Sequence, residues 1–142
     1  MIIGQQCRAV GEAESLNMVA GYAIGLDMTV RGPEDRSFRK SHDSYSIVGP
    51  CLVTPDEVPN PDNLDMRLSV NGELRQDINT SELVYSVRRL IAYASETYTL
   101  YPGDILFTGT PHGVGPVTAG DEIKCAISGI GEMRVHVRNC AN

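Results

Sequence analysis

Glycine and proline divide this chain into short apolar segments, and this division limits what the chain can form. The 142 residues include 14 glycines and 8 prolines. Such residues separate three short apolar runs at 104–108, 122–128 and 132–137, and two further apolar segments lie at 1–4 and 22–30. Short runs bounded by turn-forming residues are typical of strands. With the two helical patterns described below, they predict a mainly β chain of the α+β class.

The strongest local signal is an Asn–Gly pair at positions 71 and 72. Before it, Met66, Leu68 and Val70 alternate with polar residues. Asn–Gly is preferred in two-residue hairpin turns because both positions adopt a positive φ. We therefore expect a β-hairpin around Asn71–Gly72.

Two segments show helical spacing instead. Residues 11–21 have two acids in their first turn and end at a glycine. Their apolar positions recur at helical spacing: Ala13, Leu16, Val19 and Ala20. In 79–98, Asn79 and Glu82 have the spacing of a capping box. The apolar face of this second segment contains Leu83, Val84, Val87, Leu90, Ile91 and Ala94. We predict one helix in each segment.

The size and charge of the chain restrict its partners. At 142 residues it has the length of one domain, so we expect residues 1–142 to form a single domain. Its net charge is -6 and its pI is about 4.9. Nucleic acids and anionic membranes are bound mainly through clustered lysine and arginine. We therefore expect no nucleic-acid or membrane partner, and a small molecule is the more natural ligand.

The four cysteines carry no metal or redox motif. Cys7, Cys51, Cys125 and Cys140 include no CxxC pair. We expect free thiols, although an even number of cysteines also permits two disulfides. The apolar run at the N-terminus is too short for a signal sequence or a membrane span, which favours a cytoplasmic location.

Asp27 is the first candidate functional residue, because it is a lone acid in a mostly apolar strand pattern. An unpartnered buried carboxylate costs several kcal/mol, so it must be paired, hydrogen-bonded or bound to a cation. One interpretation is an ion pair with Arg31, four positions on. The other is a role in binding a metal or a substrate, since Mg²⁺ is bound through one or two carboxylates. Both interpretations remain open on spacing alone.

The polar segment 31–46 follows Asp27 and has the length of a binding loop. It contains Lys40 and His42. A loop lysine is more often a solvated surface residue than a catalytic one. A histidine without a recognisable partner is more often a surface or packing residue.

A glycine-rich run supplies the other candidate site. Thr108-Gly109-Thr110-Pro111 is followed by Gly113 and Gly115, so the backbone can approach a ligand closely. The Gly-Lys-Ser/Thr of a phosphate loop is absent. A simple turn between strands is the alternative, and His112 is then an exposed tip instead of a base.

Together these segments resemble the C-terminal catalytic domain of the fumarylacetoacetate hydrolase family. The resemblance covers nearly the whole chain and rests on motifs in the family's order: VAGYAIGLDMTVR, RKSHDSY, VGPCLVTPDEVPNPDNL, LSVNGELRQ, NTSELVYSVRRLIAY and LYPGDILFTGTPHGVGPVTAGDEI. It implies a mixed β-roll with two short helices, usually a homodimer, that uses a divalent metal. Mg²⁺ is the implied metal, with Mn²⁺ or Ca²⁺ as substitutes. The implied substrates are small oxo-acids or diketo-acids.

The resemblance also implies roles for four residues. Asp27 matches a metal ligand, Lys40 a catalytic lysine close to metal and substrate, and Arg31 and Thr110 substrate-binding residues. The implied activity is hydrolysis of C–C bonds in fumarylacetoacetate-like or acylpyruvate-like compounds. Isomerisation or decarboxylation of 2-hydroxymuconate-type dienols in aromatic catabolism is the alternative.

Some features of the family pattern are not in this sequence. The family's Glu-x-Glu pair, which supplies two more metal ligands, and its lid segment lie upstream of the part that matches Met1–Gly4. Gly32 stands where an aspartate often follows the arginine, and His42 stands where the family has an aromatic residue. We therefore expect an N-terminally truncated form of a normal enzyme that is weakly active or inactive by itself, and an inactive β-roll module is a further alternative. We also expect such a chain to self-associate.

Overall fold

Strands dominate the computed structural model, which describes residues 1–139. Within those residues, two antiparallel sheets have the strand orders β1-β2-β3 and β5-β4-β6-β7. The strands are β1 Ile2–Ile3, β2 Val19–Asp27, β3 Ser46–Val53, β4 Asp65–Val70, β5 Glu73–Asn79, β6 Glu122–Ile127 and β7 Gly131–His136.

The helices are short. They are α1 Glu12–Ser15 and α2 Val87–Thr97, with 3-10 turns at Leu16–Met18, Phe38–Lys40 and Thr80–Glu82. The prediction of a mainly β chain with two short helices is confirmed. None of the helices in residues 1–139 has the length and apolar character needed to cross a membrane.

The first predicted helix ends earlier than expected. Val19 and Ala20 belong to β2, and Gly21 lies inside that strand instead of ending a helix. Gly21 pairs with Ile2, and a Cβ at this position would lie 2.6 Å from the carbonyl oxygen of Val53. The glycine therefore permits close packing within the sheet, and long-range pairing overrides the local helical spacing. The strand also ends at Asp27, before the predicted Val30.

The predicted hairpin is confirmed. β4 and β5 pair on either side of Asn71 and Gly72, whose φ angles are 51° and 82°. The Asn71 side chain also fixes the neighbouring strand: its Nδ2 donates to Asp121 Oδ1 at 2.8 Å and its Oδ1 accepts from the Glu122 amide at 2.9 Å. The turn is thus tied to the start of β6.

The second predicted helix begins later than its capping box indicated. The box between Asn79 and Glu82 forms, but it caps only the 3-10 turn Thr80–Glu82. Leu83 is extended, with ψ 137°, and this interrupts the helical path. α2 starts after Ser86, whose hydroxyl accepts from the Arg89 amide at 3.1 Å. Val84, predicted on the apolar face, is 92% exposed.

The segment 104–108 is not a regular strand, contrary to prediction. It runs beside β1 through an isolated bridge between Ile2 and Ile105. The Ile3 amide donates to the Asp104 carbonyl, and the Leu106 amide donates to the Met1 carbonyl, both at 2.9 Å. β1 is too short to support a longer ladder. The strands predicted at 1–4, 122–128 and 132–137 do form, as β1, β6 and β7.

One apolar cluster joins both sheets and α2. Its most buried members are Ile3, Ile24, Val58, Val87, Ile91, Leu100, Ile123 and Cys125. Cys7, Cys51 and Cys125 are free thiols, as expected, and Cys140 lies outside the described residues. The cluster includes residues of β2, which ends at Asp27, and of β4, which pairs with β5.

Candidate functional site

Asp27 lies at the exposed end of β2. Along this strand Ile24 and Leu26 are buried, whereas Gly25 and Asp27 face outward. Strand residues point alternately to opposite faces, so an acid can follow an apolar run without entering the core. The side chain of Asp27 is 40% exposed. The carboxylate is therefore only partly buried, and the cost of a fully buried charge does not apply to it.

The partner of Asp27 is Lys40. The Lys40 ammonium donates to Asp27 Oδ2, and its side chain is 48% exposed. Lys40 ends the 3-10 turn Phe38–Lys40. Arg31 is exposed and makes no ion pair within residues 1–139, so the ion pair of Asp27 with Arg31 is not formed. A lysine and a carboxylate in contact at a strand end can bind and orient a polar ligand.

Backbone hydrogen bonds hold the loop that carries Lys40. The Met28 amide donates to the Tyr45 carbonyl at 2.9 Å, and the Val30 amide donates to the Arg39 carbonyl at 3.1 Å. These bonds fold the loop back over the end of β2, which brings Lys40 to Asp27.

His42 packs inside this loop. Its ring lies edge-on to Phe38, with 4.9 Å between ring centroids, and 5.0 Å from the ring of Tyr45. Its Nε2 is buried and has no hydrogen-bond partner in the described part of the chain. This placement matches the interpretation of His42 as a packing residue.

Thr110 lies in the glycine-rich turn, which is anchored by Gln76 of β5. Gln76 is 7% exposed. Its Nε2 donates to Thr110 Oγ1 at 2.9 Å, to the Pro111 carbonyl at 3.3 Å and to the His112 carbonyl at 3.2 Å. The side chain of His112 itself is exposed. Three consecutive residues of the turn thus depend on one buried amide.

Sequence reasoning missed Gln76. On β5 the polar Gln76 is buried while the apolar Leu74 is 56% exposed, which reverses the usual pattern. A register irregularity between Leu68 and Ser69 of β4 accompanies the reversal. The one available signal was that Gln76 lies two positions after Leu74 in a strand pattern. This spacing alone does not identify a buried side chain.

Gly113 brings the same turn against the backbone of β5. Its φ is +93°, and a Cβ there would lie 1.9 Å from the carbonyl oxygen of Arg75. Only glycine adopts both this conformation and this approach without displacing its neighbour. The turn at 108–113 therefore packs directly against the backbone of β5.

The turn lines a cleft of about 340 Å³. Its walls include Thr108, Gly109, Thr110 and Pro111 on one side and Asn79, Thr80, Leu83 and Tyr85 on the other. Asp27, Lys40 and Arg31 are not part of this lining. The structure brings Asp27 and Lys40 together, but it does not bring Thr110 or Arg31 into contact with them.

Phe107 connects the two parts of the site. A Cβ on Gly25 would lie 2.6 Å from Phe107 Cε1, so the ring packs directly on β2 two residues before Asp27. The same segment is held from the other side by the Met1 ammonium group, which donates to the Leu106 carbonyl at 3.0 Å. Burial lowers the pKa of this amine from 8.0 to about 6.

The two buried thiols, Cys7 and Cys125, are poor nucleophiles. Burial raises the pKa of Cys125 to about 11 and also raises the pKa of Cys7. The thiolate is the reactive form of cysteine. Neither residue is therefore suited to nucleophilic catalysis at neutral pH.

The described residues do not complete a metal site. Within residues 1–139, no three His, Cys, Asp or Glu side chains are grouped so that they could hold an ion. Asp27 offers one carboxylate, and the Lys40 ammonium occupies one of its oxygens. Magnesium and manganese sites need several oxygen ligands in a defined geometry. Asp27 can contribute one ligand but cannot form the site with its described neighbours alone.

Comparisons with known proteins show strong similarity over most of the chain. The family model described as fumarylacetoacetate (FAA) hydrolase C-terminal matches residues 1–138. A maleylpyruvate hydrolase of Aquipseudomonas alcaligenes is 55% identical over 139 residues, which are 98% of this chain and 48% of that protein. A 4-hydroxyphenylacetate degradation bifunctional isomerase/decarboxylase of Salmonella dublin is 41% identical over 94% of this chain and 32% of its own length.

A solved structure has the same fold. The maleylpyruvate hydrolase of Sphingobium sp. SYK-6, in complex with manganese (II) ion and pyruvate, superposes with a TM-score of 0.92 and 50% identity, covering 96% of this chain and 51% of that one. The chain thus spans about half the length of this structure and of the maleylpyruvate hydrolase.

Proposed function

The chain belongs to the fumarylacetoacetate hydrolase family, and we propose that it is the catalytic part of a divalent-metal-dependent hydrolase that cleaves C–C bonds in acylpyruvate-like diketo-acids. Its membership confirms the resemblance carried by the sequence motifs and the β-roll fold expected from them. The observation that carries the proposal is the 55% identity with a maleylpyruvate hydrolase over 98% of the chain. The contact between Asp27 and Lys40 supports it.

We propose that Asp27 is one ligand of the cation, and that further oxygen ligands come from outside the described residues. Mg²⁺ is our candidate, with Mn²⁺ or Ca²⁺ as substitutes. The manganese in the related maleylpyruvate hydrolase structure supports a divalent ion.

The chain's own residues then have separate tasks. Breaking the C–C bond of a diketone leaves negative charge on an enolate oxygen, and the Lys40 ammonium can stabilise that charge because it is fixed at the end of β2. The Thr110 hydroxyl and the Arg31 guanidinium are the proposed contacts for the oxo and carboxylate groups of the substrate. Both side chains are exposed and able to meet a ligand.

Isomerisation is the second candidate. Tautomerisation needs only proton movement and charge stabilisation, whereas hydrolysis needs an activated water. The Lys40 ammonium beside Asp27 can supply the charge stabilisation that this reaction needs. The related isomerase/decarboxylase, named for 4-hydroxyphenylacetate degradation, supports a place in aromatic catabolism for either reaction.

We also propose a cytoplasmic homodimer. Three free thiols suit a reducing compartment. Several large apolar side chains are exposed, among them Val84, Tyr85 and Tyr93, and burial against a second copy would remove them from water. A single monomer mass by light scattering at micromolar concentration would contradict the dimer.

The test of the function is a manganese titration of the 142-residue chain by calorimetry, followed by assays on maleylpyruvate and oxaloacetate. Asp27→Ala is the test variant, and Asp77→Ala, which removes a surface carboxylate paired with Arg67, is the matched control. Because Asp27 supplies only one ligand, we expect weak manganese binding and low substrate turnover, both of which Asp27→Ala removes and Asp77→Ala retains. A chain without either property would be an inactive β-roll module.

A further inference from the structure

We propose that Gln76 orients the Thr110 hydroxyl so that its proton points out of the turn, which makes Thr110 a hydrogen-bond donor to an acceptor atom of the ligand. The inference rests on the proposed function in taking Thr110 as part of the ligand site. Gln76 is then a positioning residue, because it acts through Thr110.

The orientation of the Gln76 amide follows from its neighbours. Besides Thr110 Oγ1, the terminal atom faces the carbonyl oxygens of Pro111 and His112, at 3.3 and 3.2 Å. Carbonyl oxygens only accept hydrogen bonds, so the group that faces them is the NH₂ and not the amide oxygen. The donors of Gln76 therefore point at the turn.

This arrangement determines the direction of the Thr110 hydroxyl. A threonine hydroxyl has one proton and two acceptor lone pairs. The contact from Gln76 Nε2, at 2.9 Å, is the shortest of the three and occupies a lone pair. Nε2 cannot accept a proton in return, and no described residue accepts from this hydroxyl. The proton is available to a ligand.

The arrangement is rigid before any ligand arrives. Gln76 is buried in β5 opposite Leu68 of β4, and Gly113 touches the Arg75 carbonyl next to it. Rotating the amide would aim its oxygen at two carbonyl oxygens and leave them without a donor, which is costly in a buried position. Donors fixed in advance in this way favour ligands whose charge matches them.

The consequence is a rule for the ligand. The atom that meets Thr110 must be an acceptor, such as an oxygen of a carboxylate or an oxo group. An analogue that presents an N–H at the same place would set donor against donor. Replacing the carboxylate of a 2-oxo-acid by a primary amide should therefore weaken binding.

The test compares binding of pyruvate in the presence of Mn²⁺ to the 142-residue chain and its variants. Gln76→Met removes the donors at nearly constant length, and Gln5→Met is the control at an exposed glutamine. We expect the dissociation constant to rise roughly three- to tenfold in Gln76→Met, as for loss of one hydrogen bond. In a Thr110→Val background the same change should have less than about a twofold effect, because the two residues act in series.

Gln76→Glu separates positioning from simple structural support. At pH 8 the introduced carboxylate accepts the Thr110 proton and turns the hydroxyl inward, whereas its protonated form at pH 5 can donate as the amide does. We expect the ratio of the variant's dissociation constant to that of the wild type to fall as the pH is lowered. A ratio that does not change with pH would overturn the inference.

A ligand-free measurement keeps the two proposals distinguishable. The Gln76 side-chain amide protons should exchange with solvent more slowly than those of Gln5, and Thr110→Val, at an exposed position, should speed their exchange. Equal exchange at Gln76 and Gln5 would overturn the inference without affecting the proposed function. Failure of the wild type to bind pyruvate would count against the proposed function, and the exchange rates would still decide the role of Gln76.

Discussion

The two parts of the candidate site are held in place by different means. The glycine-rich turn is fixed by a buried amide and by a backbone contact at Gly113. The pair of Asp27 and Lys40 joins two side chains that are each about half exposed, and one of them lies on a polar loop. Buried hydrogen-bond networks and close backbone contacts are costly to disturb, whereas exposed ion pairs contribute little to stability. One part of the site is therefore preorganised, and the other can rearrange at low cost.

The largest effect should come from Gly113→Ala. A methyl group 1.9 Å from the Arg75 carbonyl, at a φ of +93°, forces the turn off β5. We expect the free energy of unfolding, measured by urea denaturation, to fall by about 4 kcal/mol or more. Gly120→Ala is the matched control, because its φ is +100° but no atom lies within 4 Å of the added Cβ. Gly120→Ala should lower the free energy of unfolding by about 1 to 2 kcal/mol. Equal losses in the two variants would show that the turn at 108–113 does not pack against β5.

A smaller effect should appear on titrating the Met1 amine, which holds the segment leading into the turn. Its pKa is lowered from 8.0 to about 6, so between these values the unfolded chain binds a proton that the folded chain does not. Stability therefore rises with pH across this interval and falls as the amine is protonated towards pH 6. The free energy of unfolding rises by about 3 kcal/mol over the whole titration. Acetylating the amine should remove this part of the pH dependence, and an unchanged slope would contradict the assignment.

On the other side of the site, Lys40→Met should change stability by less than about 1 kcal/mol, because the ion pair with Asp27 is exposed. Lys124→Met, which removes a similarly exposed pair with Glu132, should behave alike in denaturation. Activity should separate the two variants. Loss of Lys40 should lower turnover by roughly a hundredfold or more, whereas loss of Lys124 should not. A large loss of stability in Lys40→Met but not in Lys124→Met would contradict the conclusion that the part of the site around Asp27 and Lys40 can rearrange at low cost.

The smallest effect is expected at His112. Its exposed ring does not help to hold the turn against β5, since Gln76 contacts only the backbone carbonyl of His112. His112→Ala should change the free energy of unfolding by less than about 0.5 kcal/mol and leave activity intact. A clear loss of activity at unchanged stability would show that the imidazole takes part in the reaction.

Features set by neighbouring residues could be predicted from the sequence. The hairpin at Asn71–Gly72 formed as expected because its turn conformation is a property of two residues. The helix boundaries could not be predicted as well. Gly21 belongs to a strand because of contacts with Ile2 and Val53, and neither contact is visible in the local pattern.

The pairings among the candidate site residues could not be predicted from local spacing. A spacing of four brings side chains together on a helix, but Asp27 ends a strand, so its partner is Lys40 from the returning loop and not Arg31. Gln76 escaped notice because its burial depends on the turn at 108–113, which lies far along the chain. Both misses arise from contacts between distant segments.

The backbone hydrogen bond from the Leu106 amide to the Met1 carbonyl joins positions 105 residues apart. A ribosome adds about 5 to 20 residues per second. The β1 region therefore waits roughly 5 to 20 s before the segment that it pairs with has been made. β2 and the β4–β5 hairpin are synthesised within that delay, so the strands that flank the two parts of the site precede the turn bearing Thr110 in the chain. During synthesis, the preorganised part of the site is thus the last to be assembled.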